Sequence, residues 1–497
     1  MASLTSSHLI DSFTSISRGL MASIRDAPST SVFSSIATVA TVYLVLFHVL
    51  EVNKPASYRK IPSKTGSIIR SMLSRLNVPA TYETCKDLFE KHGILRANLI
   101  QSERVEVASP EYARVILTQL DDFPKIDLAS KDKNSLIVLF FGVNLVFSND
   151  EVWKRHRRAA NPAFHRAWNT QVFGETKGFC LMSMIFHKGA NNPLYFMFPW
   201  LDYIPFVRRR KTFARVHHFN DLIDGLIDTR RKELAVSGIP DNKHADLLTL
   251  MIKAGKDQEK GPKDMSLTDL ELRNNMTILF LAGHDTTANS LACAMYFLAV
   301  HQDAQRKARE EVLALLSANS TALAVPTFDE TKQLPYLTNV IKETLRLCPS
   351  VAAVSGRMTT RDVPLGEYVI PKGTSVGINV WALHHSRKIW GDDVEEFKPE
   401  RFKDHVVDEK LADPDATSPA VGEGKRDNYA WLPFSFGARA CIGMNLSYLE
   451  QRVVLSMLLQ KYEWVLPADS PHKEKLQFAP GNLLRPLDLQ IQFKKRY

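Results

Sequence analysis

The segment FSFGARACIG, Phe434 to Gly443, holds a single cysteine between glycines, two positions after an arginine. If the amphipathic stretch MNLSYLEQRVVLSMLLQKYEW that follows is a helix, Cys441 lies at its positive end. There, free backbone N–H groups and Arg439 lower a thiol pKa and favour the thiolate. Such a sulfur serves as a nucleophile or as a metal ligand. A nucleophile normally needs a base within reach, and no histidine lies in this segment. A ligand needs only N–H donors around the sulfur and glycines that let a flat group approach the backbone. The third reading is a buried structural cysteine, and on Cys441 alone the inert and functional readings balance.

Other chemistry-bearing residues lie far away in the chain. In AGHDTT, Ala282 to Thr287, an acid and a hydroxyl interrupt an apolar run, so Asp285 and Thr286 can pass protons through water in an apolar wall. A Ser/Thr kink in a buried helix is the plainer reading of a lone Thr. Glu343 and Arg346 in KETLR share a helix face, which by itself usually means a solvated salt bridge of little value. Trp153 and Arg157 stand one turn apart, and arginine suits a carboxylate.

Phe434, Gly437, Arg439, Cys441 and Gly443 together fit F-x-x-G-x-R-x-C-x-G, and this loop resembles the haem-binding loop of the cytochrome P-450 family. A-G-x-D-T-T, E-x-x-R, PERF with Arg401 and W-x-x-x-R recur in the family's order, so from about residue 58 the chain resembles a microsomal, fungal-like member. The resemblance implies haem b with Cys441 as the axial thiolate of its iron. It implies room beside the haem at Ala282 and Gly283, and proton delivery by Asp285 and Thr286. Trp153, Arg157, Arg357 and Arg439 would hold propionates; Glu343, Arg346 and Arg401 would support the loop. Leu483 and Leu484 in APGNLLRP would line the substrate site. The implied reaction inserts one atom of O2 into a small apolar substrate. Electrons would come from NADPH through a separate NADPH-cytochrome reductase, with cytochrome b5 as a further donor, since no G-x-G-x-x-G follows a strand here. The alternatives are an O2-independent haem-thiolate isomerase or dehydratase and a non-catalytic product of a shortened chain.

The elements that must position these residues read as mainly α with small β-sheets, an α+β class. RVEVASPEYARVIL predicts a strand then a helix, and SNDEVWKRHRRAANPAF a helix opened by Ser148, Asn149 or Asp150. From Ser266, a Ser-x-x-Asp signal opens a long helix, apolar nearly all round, that should run through the middle of the protein. LPYLTNVIKETLRLCP is a helix ended by Pro349, YVIPKGTSVGINVWAL a strand pair, and residues 407–429 a surface loop. Between NPAFHRAWNTQVFGET and the aromatic PLYFMFPWLDYIPFVRRRK, where the family places further core helices, only KGFCLMSMIFHKGANN intervenes. The resemblance therefore implies a deletion of core helices after the Trp153 helix, and reads the aromatic loop as lipid-dipping or as core.

Of the 497 residues, 45% are hydrophobic and 24% charged, enough to bury a cofactor. Five scattered cysteines without a C-x-x-C pair suggest neither a disulfide framework nor a zinc site. Residues 27–50 contain no Asp, Glu, Lys or Arg, and the basic positions Lys54, Arg59, Lys60 and Lys64 follow. That pattern predicts an uncleaved single-pass anchor at 32–50 after an N-terminal extension, 1–31, disordered or lumenal. A basic linker, 51–64, then leads to a cytosolic domain, 65–497, at the endoplasmic reticulum membrane. Arg18 and Arg25 raise a mitochondrial presequence, against which Asp11 and Asp26 argue. A net charge of +9 comes with no nucleic-acid motif, so it fits an anionic bilayer or an acidic redox partner docking on Lys154, Arg155 and Arg158, equally readable as a solvated face.

Overall fold

The computed structural model describes residues 54–63, 78–96, 104–127, 135–164, 209–238, 245–257, 267–316, 324–403, 428–479 and 483–496. The chain divides into two compact units, Met1–Lys60 and Ile61–Tyr497. In the first, a short helix spans Ala56–Lys60; the expected anchor at 32–50 lies outside the described residues, as do the shortened segment, the aromatic loop and most of 407–429. Among the described residues no helix is long and apolar enough to cross a membrane.

The second unit is mainly helical with small sheets. Among the described residues its helices of six or more residues are α1 (Val78–His92), α2 (Pro110–Thr118), α3 (Leu136–Phe141), α4 (Asp150–Phe164), α5 (Arg210–Ser237), α6 (Leu247–Asp257), α7 (Asp269–Val300), α8 (Gln302–Leu315), α9 (Pro335–Leu347) and α10 (Met444–Lys461). Strands β1 (Ile94–Arg96), β2 (Arg104–Val107), β3 (Ala353–Met358) and β6 (Ser375–Asn379) form one sheet in the order β1-β2-β6-β3. β4 (Val363–Leu365) pairs with β5 (Tyr368–Ile370), and β7 (Tyr462–Val465) with β8 (Gln492–Lys495). The expected Tyr368-to-Asn379 strand pair thus separates: β5 joins β4, whereas β6 lies parallel to β2 with Val105 opposite Val376. The strands exist where their alternation predicts them, but partner choice depends on chain crossings that alternation does not encode.

The central helix starts two residues later than the Ser266 signal suggests. Thr268 is its N-cap and Glu271 closes a capping box, with Glu271 N–H donating to Thr268 Oγ1 at 3.2 Å and Thr268 N–H donating to Glu271 Oε2 at 2.9 Å. Glutamate at the third position reaches back where the shorter aspartate does not. α7 buries Leu272, Met276 and Leu281 in one apolar cluster with α5, and Cys293, Ala294 and Leu298 in a second with α8, α9 and α10. Each fully buried leucine of this kind contributes about 1.5–3 kcal/mol. α10 is not amphipathic as expected. It buries Tyr448, Leu449, Val453, Leu455 and Leu459 together with Gln451, Arg452, Ser456 and Gln460, because α7, α8 and α9 all pack against it.

Candidate active site

Cys441 lies three residues before the first residue of α10, whose N-cap is Gly443. Its loop is held by Cys441 N–H donating to Phe434 O at 2.9 Å and Ala440 N–H donating to Gly437 O at 2.8 Å. Gly437 has φ +72 at the start of a 3-10 turn, Gly437–Arg439, a conformation that an L side chain strains. A Cβ at Gly443 would stand 4.0 Å from Cys441 Sγ, an ordinary contact, so that glycine leaves one side of the sulfur open. Phe434 packs its ring 5.3 Å from Tyr448 of α10. Among the described cysteines, Cys85, Cys293 and Cys348 are buried and Cys441 alone is exposed.

The sulfur's electrostatics differ from the expectation. Protein crowds every side but the open one, and this burial pushes the Cys441 thiol up; Gly443 N–H and the charge of Arg157 pull it partly back. Arg439, the cation expected to act, points elsewhere: its Nη2 donates to Ser148 O at 2.5 Å and its guanidinium lies 4.5 Å over the Trp153 ring. Cys441 would stay a thiolate against this burial cost if a metal ion took the proton's place.

Four cations converge nearby. α4 begins at Asp150, so Trp153 and Arg157 rise one turn apart, and Arg157 Nη1 donates to Ala440 O at 3.2 Å. A register shift in β3 between Val354 and Arg357, with Gly356 at φ +83, turns the chain so that Arg357 is 1% exposed. Arg357 Nη1 donates to Phe123 O at 2.7 Å, and its backbone bridges Lys125. Burial lowers Arg357 to about 10; burial with the charges of Arg357 and Arg157 brings Arg439 down to about 9, against a smaller opposing pull from Asp150. Lys125, which no motif reveals, is brought down to about 7 by burial and by Arg357 and Arg439. Nε and Nη2 of Arg357 and Nη1 of Arg439 are buried without a hydrogen-bond partner among the described residues. They flank a cavity of about 510 Å³ lined also by Trp153, Lys154 and the carboxylates Asp121, Asp150 and Glu151. Buried guanidinium N–H donors left without a partner fit an anionic group such as a propionate.

On α7, Asp285 is buried, and its Oδ1 lies 2.9 Å from His284 Nδ1. Thr286 Oγ1 donates to Ala282 O at 2.6 Å, and Thr286 O accepts from Ser350 Oγ at 2.7 Å. Ala282 and Gly283 are exposed, and a Cβ at Gly283 would meet nothing within 4 Å, which leaves space beside this turn. Thr287 Oγ1 lies 3.0 Å from Ser447 Oγ and Ser290 Oγ donates to Gln451 Oε1 at 2.7 Å, so the turn is tied to the helix that Cys441 leads into. Leu483 bridges Val351 next to Ser350, whereas Leu484 is buried with Tyr82, Cys85 and Trp381.

Glu343 and Arg346 are 0% exposed, not a solvated pair, and join through two bonds of 2.8 Å. Arg346 donates further to the carbonyls of His384, Val394 and Glu396; Arg401 Nε lies 3.4 Å from Glu343 Oε1 and its Nη1 donates to Asp393 at 2.9 Å. His384 carries this network to the cysteine loop, accepting from Leu432 N–H at Nε2, 2.9 Å away. Burial, then the Arg346 charge, lowers His384 to about 3, so it stays a neutral acceptor. Of the three cations considered for docking, Arg155 is instead bound to Glu271, at 2.6 and 3.0 Å, while Lys154 and Arg158 remain exposed.

The family model for Cytochrome P450 matches residues 71–175 and 179–493; the break falls inside the short segment that follows α4. The 11-oxo-beta-amyrin 30-oxidase of Glycyrrhiza uralensis is 26% identical over 430 residues, 74% of this chain and 75% of that protein. The echinocystic acid 23-monooxygenase of Saponaria officinalis is 25% identical over 436 residues, 76% of this chain and 77% of that protein. The crystal structure of the cytochrome P450DA heme domain superimposes with a TM-score of 0.68 at 20% identity, covering 88% of this chain and 98% of that one.

Proposed function

Since this chain belongs to the cytochrome P450 family, we propose that it is a haem-thiolate monooxygenase that oxidises a small apolar substrate with electrons from NADPH through a separate reductase. The observation that carries the reading is the pairing of one solvent-facing cysteine with buried, unmatched guanidinium N–H groups at Arg357 and Arg439. Haem bound there supplies O2 activation and oxygen insertion into a C–H bond. The chain's residues supply the rest. Cys441 ligates, with Gly443 N–H and Arg157 favouring its anionic form. Arg157, Arg357, Arg439 and Lys125 receive carboxylates, and Trp153 holds Arg439 in place through its ring face. Asp285 holds the proton that Thr286 passes on, and Leu483 faces the substrate beside them. The Asp285–Thr286 pair favours oxygen chemistry over an O2-independent isomerase. The names of the two plant relatives, an oxidase and a monooxygenase, support the same class.

In this reading residues 32–50 anchor the protein in the endoplasmic reticulum membrane, and the exposed Lys154 and Arg158 meet the acidic reductase, with cytochrome b5 as a second donor. The test is the absorption spectrum of the dithionite-reduced protein with and without carbon monoxide. Wild type should show the strongly red-shifted Soret band of thiolate-ligated haem and Cys441→Ala should lose it. A wild-type chain without haem absorption would overturn the reading, and turnover independent of NADPH would reassign it to the isomerase class.

A further inference from the structure

At about 100° per residue, Ala282 and Thr286 share one face of α7 and His284, midway between them, projects from the other. Thr287 meets Ser447 and Ser290 meets Gln451, so α7 and α10 run in the same direction along their seam, and His284 lies one turn before the first of these contacts. The two faces differ in access to water. The His284 side chain is 45% exposed, the Asp285 side chain 8%, and the two are joined Nδ1 to Oδ1 at 2.9 Å.

We propose that His284 is the proton entry to Asp285, carrying protons from solvent to the face of α7 that holds Thr286. The proposal rests on the monooxygenase reading, whose reaction consumes protons at an apolar site. A buried carboxylate whose neighbour is a half-exposed imidazole exchanges with water through that ring, because imidazole accepts at one nitrogen and donates from the other near neutral pH. The step balances. A proton taken at Nε2 from water makes the ring imidazolium. Release of the Nδ1 proton to the Asp285 carboxylate returns it to neutral with its hydrogen on Nε2, and rotation or tautomer exchange resets it. One proton crosses and no electron moves. A merely solvated surface histidine would leave all of this to direct hydration of Asp285, which its burial opposes.

Two measurements on the full-length holoprotein test this. In the diamagnetic ferrous carbon monoxide form labelled with 15N-histidine, and with His284→Gln assigning the resonance, the neutral ring should carry its proton on Nδ1; a neutral ring protonated on Nε2 would overturn the proposal whatever the turnover. In turnover, His284→Gln should divert several-fold more reducing equivalents to hydrogen peroxide and enlarge the solvent deuterium isotope effect, with Soret band and substrate-induced spectral shift unchanged. Peroxide leakage and isotope effect equal to wild type in His284→Gln would sink the relay while leaving the monooxygenase reading intact. Loss of the red-shifted band in wild type would instead sink that reading.

Discussion

At the scale of single residues, the site is a set of groups held at a cost that a ligand must offset. Arg357 and Arg439 each keep guanidinium N–H groups buried and unmatched, and Lys125 is pressed against both. Arg357→Met should therefore speed haem loss by about 10- to 100-fold, the equivalent of a charge-assisted bond of about 1.5–3 kcal/mol, measured by transfer to an excess of a competing haem acceptor. Lys125→Met should do the same more weakly, yet raise the melting temperature of the haem-free protein because it relieves cation–cation repulsion. If haem loss were unchanged in both, these cations would not face the propionates. Cys441, Arg439 and Arg157 stand out in the sequence through the motifs that carry the family resemblance. Lys125 was not, because only the backbone bridge between segments more than 200 residues apart puts it there. The Cys441 thiol shifts against the sequence expectation: helix polarity is visible in sequence, whereas crowding by folded neighbours is not.

At the scale of elements, two ties hold the site's walls together. The Glu343–Arg346 pair is sealed, so Glu343→Ala would strand a buried guanidinium and should cost about 3–5 kcal/mol in urea denaturation. A loss under 1 kcal/mol would mean that water reaches the pair. The second tie runs from α4 to α7, where Arg155 grips Glu271. Burial pushes this carboxyl up, but hydrogen bonds from His156, Thr268 N–H and Arg155 outweigh it and hold the group at about 2 against an ordinary 4.5. A depressed carboxylate stabilises the fold fully above its unfolded pKa and loses that contribution as pH falls from about 4.5 toward about 2. Glu271→Gln should therefore lower stability by about 2 kcal/mol at neutral pH and flatten the loss between those limits; an unchanged acid limb would refute the tie. The helices themselves followed from apolar periodicity and caps. What periodicity hid was the environment of α10, whose polar Gln451 and Ser456 are as buried as its leucines because three helices surround it.

At the scale of the whole molecule, the net charge of +9 is spent unevenly. Arg155, Arg157, Arg357 and Arg439 are turned inward or bound within the fold, whereas Lys154, paired with its neighbour Glu151 at 2.7 Å, and Arg158 are the exposed cations of α4. Lys154→Glu with Arg158→Glu should raise the KM for the reductase several-fold and reduce its dependence on ionic strength, with the reduced carbon monoxide spectrum unaltered. Equal reductase kinetics would place docking elsewhere. The inward cations have a different consequence. Until porphyrin carboxylates arrive, Arg357, Arg439 and Lys125 repel one another inside the fold, so an empty chain unfolds more readily and is the better substrate for proteolysis. The cellular lifetime of this protein should then follow haem supply: when porphyrin synthesis is blocked its abundance should decline after translation, with its messenger level untouched.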